Sequence, residues 1–303
     1  MRIVFFGTPG FAAYSLEALV ESGLDVVGVV TAPDRPAGRG QKVQISAVKE
    51  SALRLNLPLA QPEKLKSDEF AAQLRSWNPD LSVVIAFRML PESVWNFPPL
   101  GTINLHASLL PDYRGAAPIQ HALIQGETET GVTTFRLVHE IDAGDLLKQA
   151  RLPIAPEETG GSLHDKLMVL GAEVMLDTLR ELSEHRSVPQ PQGPATDKLA
   201  PKLNRDFCEL HPDREDALTC ERKIRALAPY PGAWVSTPVG DVKIWACFKP
   251  MDAPLGNLLP GLNVEGKTLF LNCRQGRLQI LSLQLPGKAR ISAIDYINGR
   301  KIE

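Results

Sequence analysis

The stretch Thr102–His106, which reads Thr-Ile-Asn-Leu-His, carries the clearest fold signal in the chain. Polar and apolar residues alternate in it, and strand side chains repeat every two residues, so Asn104 and His106 should project from one face. Ile103 and Leu105 would then anchor the opposite face in a core. The run Leu-Leu-Pro-Asp-Tyr-Arg-Gly ends the strand soon afterwards. Both polar groups should therefore lie near its carboxyl end, where open α/β sheets bind their ligands.

Strand-like and helix-like runs alternate around this stretch. Strands are predicted at Arg2–Phe6, Val26–Thr31, Leu81–Ala86 and Thr102–His106, and helices at Phe11–Ser22, Ala47–Leu55 and Asp68–Trp77. Such alternation predicts an α/β fold with a mainly parallel sheet covered by helices. Two more strands are predicted at Gly131–Leu137 and Leu146–Leu152. A long amphipathic helix follows, whose start Ser162 and Asp165 are expected to cap.

A proline-rich segment between Arg186 and Lys202 divides the chain. Its prolines and lack of periodicity predict a semi-stiff linker over 189–206, between a larger domain at 1–188 and a smaller one at 207–303. The smaller domain should contain a short basic helix and several strands separated by turns, namely Cys220–Leu227, Ala233–Thr237, Val242–Phe248, Thr268–Leu271 and Leu278–Leu285. That spacing predicts a small β-barrel or sandwich.

Composition narrows the class of protein. A chain of 303 residues with 44% hydrophobic content can bury a sizeable core, which excludes global disorder. The formal charge of −2 combines an acidic 1–188 with a mildly basic 189–303, and the basic part suits an anionic partner or simply a solvated surface. Four cysteines without a CxxC spacing indicate reduced thiols, and no run resembles a signal sequence or a membrane span. We expect a cytoplasmic protein.

The polar residues near the end of the key strand suggest acyl transfer. The Asn104 amide can stabilise an oxyanion, and the His106 imidazole can move the proton that transfer to an amine requires. Asp142, in the turn Ile-Asp-Ala-Gly-Asp, could orient and charge the imidazole. A lone strand histidine is more often structural, and spacing alone favours a turn-forming role for Asp142. No serine or cysteine lies in a nucleophile elbow, so direct transfer fits better than a covalent enzyme intermediate, and no metal-ligand pattern is present.

Two loops carry weaker signals. Gly7–Gly10 follows the first strand but lacks the GxGxxG fingerprint, so a dinucleotide site is disfavoured against a tight turn. The long segment from Pro33 to Ser46 carries Arg35, Arg39 and Lys42 against one acid. These cations favour a phosphate partner, and an exposed charged loop is an equally good explanation.

Several motifs together resemble one enzyme family. They are Phe-Phe-Gly-Thr-Pro, Pro-Asp-Arg-Pro-Ala-Gly-Arg-Gly, Asn-Leu-His-Ala-Ser-Leu-Leu-Pro-Asp-Tyr-Arg-Gly-Ala-Ala-Pro-Ile-Gln, Glu-Thr-Gly-Val-Thr and Ile-Asp-Ala-Gly-Asp. The chain is similar nearly end to end to methionyl-tRNA formyltransferases. The resemblance implies a Rossmann-like formyltransferase domain and an OB-like β-barrel. It also implies transfer of a formyl group from 10-formyltetrahydrofolate to the methionine amine of initiator methionyl-tRNA, without a metal, by a protein we expect to be a monomer.

The resemblance also implies roles for individual residues. Asn104, His106 and Asp142 would be catalytic. The folate would lie beside Ser108, Leu109, Leu110 and Pro111 and beside Phe87, Arg88, Met89 and Leu90, the latter four replacing a commonly longer stretch. The tRNA would be contacted by Arg35, Arg39, Lys42, Arg222 and Arg225.

Three alternatives remain at this point. The same chemistry could serve a small acceptor, such as an amino sugar or glycinamide ribonucleotide, or hydrolyse the folate, although a small acceptor explains neither the basic loop nor the second domain. An RNA-binding protein with a vestigial site is disfavoured by the intact Asn104, His106 and Asp142. A nicotinamide dehydrogenase is disfavoured by the first glycine turn.

Overall fold

The strands follow the hydrophobic runs of the sequence closely. A computed structural model describes residues 1–37, 42–251 and 259–299. Its strands are β1 (Arg2–Gly7), β2 (Asp25–Val30), β3 (Arg35–Ala37), β4 (Lys42–Gln44), β5 (Leu59–Ala60), β6 (Leu81–Ile85), β7 (Thr102–His106), β8 (Arg114–Gly115), β9 (Glu129–Arg136), β10 (Leu146–Pro153), β11 (Leu199–Ala200), β12 (Ala233–Thr237), β13 (Gly240–Cys247), β14 (Gly261–Glu265), β15 (Thr268–Asn272), β16 (Arg277–Gln284) and β17 (Arg290–Ser292).

Several of the helices begin at a capping side chain. They are α1 (Gly10–Glu21), α2 (Ala47–Arg54), α3 (Asp68–Trp77), α4 (Glu92–Trp95), α5 (Pro118–Gln125), α6 (Gly160–Ser183), α7 (Ala217–Ala226) and α8 (Ala293–Gly299), with a 3₁₀ turn at Asp206–Cys208. The Ser46 and Ser67 hydroxyls accept hydrogen bonds from backbone N–H groups in the first turns of α2 and α3, at 3.0 Å and 3.3 Å. These bonds satisfy donors that a helix start leaves without an intrahelical partner.

The start of α6 differs from its prediction. Thr159 precedes the helix, and its hydroxyl accepts from the Ser162 N–H at 3.1 Å, while the Ser162 hydroxyl accepts from the Thr159 N–H at 3.0 Å. This reciprocal arrangement is a capping box that begins at Thr159. Ser162 therefore takes part in the cap as predicted, but the helix begins at Gly160 and its capping partner is Thr159. The expectation for Asp165 was wrong, because its carboxylate contacts His164 instead.

The first compact unit comprises residues 1–114, 130–152 and 164–199. Its seven-stranded sheet has the order β10-β9-β7-β6-β1-β2-β5. The pairs from β7 to β5 are parallel, and β9 joins β7 in the antiparallel sense. All five residues of β6 are buried, as expected for a strand covered by helices on both faces. The predicted mainly parallel α/β sheet is confirmed.

The second unit comprises residues 115–129, 153–163 and 200–303. Its antiparallel sheet has the order β12-β13-β16-β15-β14, and β17 pairs with β16. The core includes the fully buried Cys220, Ile244, Leu271, Leu278 and Leu283. This curled sheet confirms the predicted smaller OB-like domain, and it adds β14 and β17 to the predicted strands.

The predicted linker at 189–206 contains ordered backbone pairing. Gln190 and Leu146 exchange two backbone hydrogen bonds of 2.8 Å, and Leu199–Ala200 forms β11. The boundaries 1–188, 189–206 and 207–303 stay a prediction. In the ranges that the structure covers, none of the helices is both long and apolar enough to cross a membrane.

Candidate active site

Strand β7 brings Asn104 and His106 to the carboxyl end of the sheet. It lies between β6, where Val84 is opposite Asn104, and β9, where Thr133 is opposite His106. The Asn104 side chain is half-buried, and within the described residues its amide has no hydrogen-bond partner. Its donors are therefore available to a bound molecule.

The imidazole of His106 is buried, with both ring nitrogens directed at polar atoms. Nε2 lies 2.8 Å from the Tyr113 carbonyl oxygen, and Nδ1 lies 3.8 Å from Oδ2 of Asp142. A carbonyl can only accept, so Nε2 carries a hydrogen and Nδ1 is the nitrogen that gains or loses a proton. The Asp142 carboxylate faces that nitrogen from just beyond direct hydrogen-bond range.

Asp142 lies in a constrained turn between β9 and β10. Its φ of +51° is in the left-handed region, which a non-glycine residue rarely adopts. A Cβ on Gly144 would lie 1.7 Å from the Arg136 carbonyl oxygen, so glycine is required there. The Asp145 carbonyl accepts from the Arg136 N–H at 2.9 Å and closes the turn. Unusual backbone held by its surroundings is common at functional sites, which favours a functional role for Asp142 over a merely turn-forming one.

The Ser108–Pro111 loop is held by a hydroxyl group on β9 and an amide group on β10. Oγ1 of Thr133 donates to the Ser108 carbonyl at 2.7 Å and accepts from the Leu110 N–H at 3.2 Å. It also accepts from Nε2 of Gln149 at 2.9 Å, and this amide donates to the Leu110 carbonyl at 2.8 Å. Neither side chain was predicted from the sequence. The only sequence signal for Thr133 is a polar residue within the buried strand β9.

The Phe87–Leu90 segment follows β6 at the same edge of the sheet. The Phe87 ring meets the Phe6 ring edge-on at a centroid distance of 5.7 Å, and Leu90 packs in the core. Met89 is 75% exposed. The Arg88 guanidinium donates to the Glu63 carbonyl at 2.9 Å and to the Pro62 carbonyl, and burial lowers the pKa of Arg88 from its ordinary value. Of these four predicted folate neighbours, Met89 is therefore the most accessible.

The predicted tRNA-contacting cations occupy different settings. Arg35 is exposed at the start of β3, the backbone of Lys42 begins β4, and Arg39 and the Lys42 side chain lie outside the described residues. In the second unit, Arg222 reaches the Gln125 carbonyl at 3.5 Å. Arg225 is mostly buried, pairs with Glu221 and donates to the Glu158 carbonyl at 2.6 Å. Arg35 is thus the most accessible of the described side chains in this set.

Other kinds of site have less support. Over the described ranges, no group of three or more His, Cys, Asp or Glu side chains could hold a metal ion. The four cysteines are free thiols. The polar groups at the end of β7 and in the Asp142 turn converge in the first unit and make the candidate site.

Comparison with known proteins identifies the family. The family model "Formyl transferase" matches residues 1–179, and "Formyl transferase, C-terminal domain" matches residues 207–301. The methionyl-tRNA formyltransferase of Bacteroides fragilis is 47% identical over 99% of this chain and 95% of its own length. This chain belongs to the methionyl-tRNA formyltransferase family. The enzymes of that name from Bacteroides thetaiotaomicron and Flavobacterium johnsoniae are 45% and 44% identical, over 100% and 99% of this chain and 96% of each relative.

Solved structures share the fold at low sequence identity. HypX from Aquifex aeolicus in complex with tetrahydrofolic acid has a TM-score of 0.64 and 19% identity over 98% of this chain, which spans 47% of that longer protein. An N-formyltransferase from Helicobacter canadensis, solved with folinic acid and dTDP-3-aminofucose, has a TM-score of 0.67 and 16% identity over 92% of this chain and 98% of its own. At these identities the likeness supports the formyltransferase fold alone.

Proposed function

We propose that this chain transfers the formyl group of 10-formyltetrahydrofolate to the α-amine of methionine on initiator methionyl-tRNA. The observation that carries the proposal is the convergence of His106, Asp142 and the available Asn104 amide at the carboxyl end of β7. Family membership over nearly the whole chain supports the donor and the acceptor.

The three side chains have complementary roles in this reaction. The amine nitrogen attacks the formyl carbon, a new C–N bond forms, and the carbonyl oxygen becomes an oxyanion. The Asn104 amide donates to that oxyanion, and His106 assists it when Nδ1 is protonated. Asp142 faces Nδ1, and His106 passes its Nδ1 proton to N10 as the C–N10 bond breaks. The ring regains a proton from the attacking amine nitrogen, so the net transfer is one proton from the amine to N10. The products are formylated methionyl-tRNA and tetrahydrofolate, so atoms and charges balance.

The folate in this proposal borders two loops at the same edge of the sheet. Ser108–Pro111 offers a backbone that Thr133 and Gln149 hold in place. Phe87–Leu90 offers the exposed Met89, while Phe87 and Leu90 fix the segment to the core. No metal takes part in the proposed reaction.

The tRNA in this proposal contacts both parts of the chain. Arg35, Arg39 and Lys42 would reach the acceptor end, and Arg222 and Arg225 lie on a basic helix of the 207–303 domain, separated from the 1–188 catalytic domain by the 189–206 linker. The exposed Arg35 suits a phosphate backbone, whereas the mostly buried Arg225 is paired with Glu221. We further propose that the protein acts in the cytoplasm as a monomer.

A competition between acceptors tests the function. Labelled 10-formyltetrahydrofolate is offered with charged initiator tRNA, charged elongator tRNA, an amino sugar nucleotide or glycinamide ribonucleotide, and the formylated product is identified. We expect formylmethionyl-tRNA from the initiator alone at an appreciable rate. Formylation of a small amine in preference to the tRNA, or binding of tRNA without transfer, would refute the proposal.

A further inference from the structure

Gln192 stands out in the proline-rich segment that follows α6. It is 6% exposed, while every other residue from 189 to 199 is half-buried or exposed. Burying a primary amide costs free energy unless its hydrogen bonds are made. The burial of a single polar side chain in an otherwise exposed stretch therefore calls for specific partners.

Both ends of the Gln192 amide have such partners. Its Oε1 accepts from Nε of Arg114 at 2.7 Å, and its Nε2 donates to the Gly144 carbonyl at 2.9 Å. An arginine can only donate and a carbonyl can only accept, so these partners fix the orientation of the amide. Among side chains of this length, glutamate has no N–H to donate to the Gly144 carbonyl. Methionine has neither that N–H donor nor a carbonyl oxygen to accept from Arg114.

The two partners of Gln192 lie close in sequence to residues that hold His106 and Asp142, the proposed proton-transfer pair. Gly144 is two residues beyond Asp142, in the turn that keeps Asp142 at a φ of +51°. Arg114 directly follows Tyr113, whose carbonyl lies 2.8 Å from Nε2 of His106. Gln192 thus links the backbone that holds the carboxylate to the segment that anchors the imidazole.

We infer that Gln192 is a positioning residue for formyl transfer. By joining Arg114 to the Asp142 turn, Gln192 sets the separation of His106 and Asp142. The inference rests on the proposed function. Gln192 would act through the backbone of the turn and would touch neither substrate. Its loss should therefore slow the chemical step while leaving the affinity for either substrate nearly unchanged.

Matched variants test the inference in the full-length protein. Gln192→Met keeps the length of the side chain and removes both hydrogen bonds, and Gln192→Glu removes only the donation to Gly144. Gln190→Met is the control, because Gln190 is exposed and, among the described residues, its side chain reaches only the Val188 carbonyl, at 3.4 Å. Single-turnover transfer to charged initiator tRNA gives the rate constant, and titrations give KM for each substrate.

We expect Gln192→Met to lower the single-turnover rate constant about tenfold, with KM changed less than about twofold, and Gln192→Glu to show a loss of the same kind. The control should match the wild type. In an Asp142→Asn background, Gln192→Met should lower the single-turnover rate constant little further, because the His106–Asp142 pair that Gln192 positions is already broken. A purely structural role would not produce this coupling.

Specific results would overturn the inference. Variants with lower melting temperatures and unchanged rate constants would make Gln192 a structural residue only. If Gln192→Met still lowers the rate constant tenfold in the Asp142→Asn background, Gln192 acts elsewhere. Gln192→Glu supplies the same comparison if Gln192→Met fails to fold. A wild-type protein that does not formylate methionyl-tRNA would instead refute the proposed function, so the two failures are distinguishable.

Discussion

The polar side chains around the end of β7 form two groups in opposite hydrogen-bonding states. Asn104 has no partner for its amide within the described residues, and Nδ1 of His106 stands 3.8 Å from Asp142. On the neighbouring strand, the Thr133 hydroxyl makes one donated and two accepted hydrogen bonds and is saturated. These groups face one another across the β7–β9 ladder, where His106 is opposite Thr133.

This difference in hydrogen bonding distinguishes side chains that can interact with the substrates from side chains that hold the surrounding loops in place. A hydroxyl that is fully bonded has nothing left to offer a substrate, whereas a half-buried amide without a partner gains by binding one. An imidazole with one nitrogen anchored and the other facing a carboxylate can exchange a proton without reorienting. We therefore expect loss of the first group to affect rate, and loss of the second to affect loop geometry and stability.

The largest effect is expected at Asn104. Asn104→Asp keeps the shape of the side chain and replaces its N–H donors with a negative charge near the oxyanion. Loss of one such donor costs about 2.7–4 kcal/mol, so the single-turnover rate should fall by about 100-fold to 1,000-fold. Asn96→Asp, at an exposed position after α4, should be close to the wild type. A fall of less than tenfold would remove Asn104 from the proposed oxyanion site.

His106 comes next. His106→Ala removes the proton carrier and should lower the single-turnover rate at least about 100-fold, in line with general acid–base catalysis. The control is His164→Gln, because His164 lies in α6 with a side chain that is 41% exposed. The amine must be neutral and the imidazole charged, so we also expect a bell-shaped dependence of the rate on pH. Near-normal transfer by the alanine variant would refute the role.

Thr133 should show a smaller effect of a different kind. Thr133→Val leaves the Leu110 N–H and the Ser108 carbonyl without their partner, which should lower the free energy of unfolding by about 1–3 kcal/mol. The loosened Ser108–Pro111 loop should weaken folate binding about tenfold, and Thr133→Ser should restore both properties. Thr134→Val is a control, since the Thr134 hydroxyl bonds instead to Thr178 at 2.7 Å. Unchanged folate affinity in Thr133→Val would contradict the framework role.

The smallest effect is expected at the hydrogen-bonded cluster of Asp34, Lys49 and Gln61. A hydrogen bond from Lys49, with another from Gln61, lowers the pKa of Asp34 from its ordinary value. A carboxylate with a lowered pKa stabilises the fold above its unfolded-state pKa, and that contribution is lost as pH falls through the folded-state pKa. Lys49→Met should therefore flatten the stability–pH curve below about pH 4.

Urea unfolding between pH 3 and pH 7 measures this effect. The exposed Lys66→Met is the control and should keep the wild-type curve. An unaltered pH dependence in Lys49→Met would show that Asp34 does not depend on Lys49. Formyl transfer at neutral pH should change little in either variant, because this cluster holds the framework only.

Local patterns predicted much of the fold and part of the site. Thr102–His106 and Asp68–Trp77 have the expected bounds, because alternation and helical periodicity are properties of the segment itself. The helix at Pro118–Gln125 was not predicted, although proline at its first position is a helix-start signal. It begins inside the 104–120 motif that carries the family resemblance.

The supporting residues were hidden because their roles depend on distant partners. Thr133 is 25 residues from Ser108 in the sequence, and Gln192 is 48 residues from Gly144 and 78 from Arg114. No local periodicity encodes such contacts. The left-handed φ of Asp142 was equally invisible, since the glycine two positions later indicates a turn without indicating its strain.

A side-by-side measurement of His106→Ala and Thr133→Val tests the separation of chemistry from framework most directly. Single-turnover formyl transfer to charged initiator tRNA, measured across folate concentrations, gives both the maximal rate and the folate affinity of each protein. We expect the His106 variant to lose at least about 100-fold in maximal rate at near-normal folate affinity. The Thr133 variant should instead lose affinity and keep most of its maximal rate. The reverse pattern, or equal losses of both quantities in both variants, would contradict this division of roles.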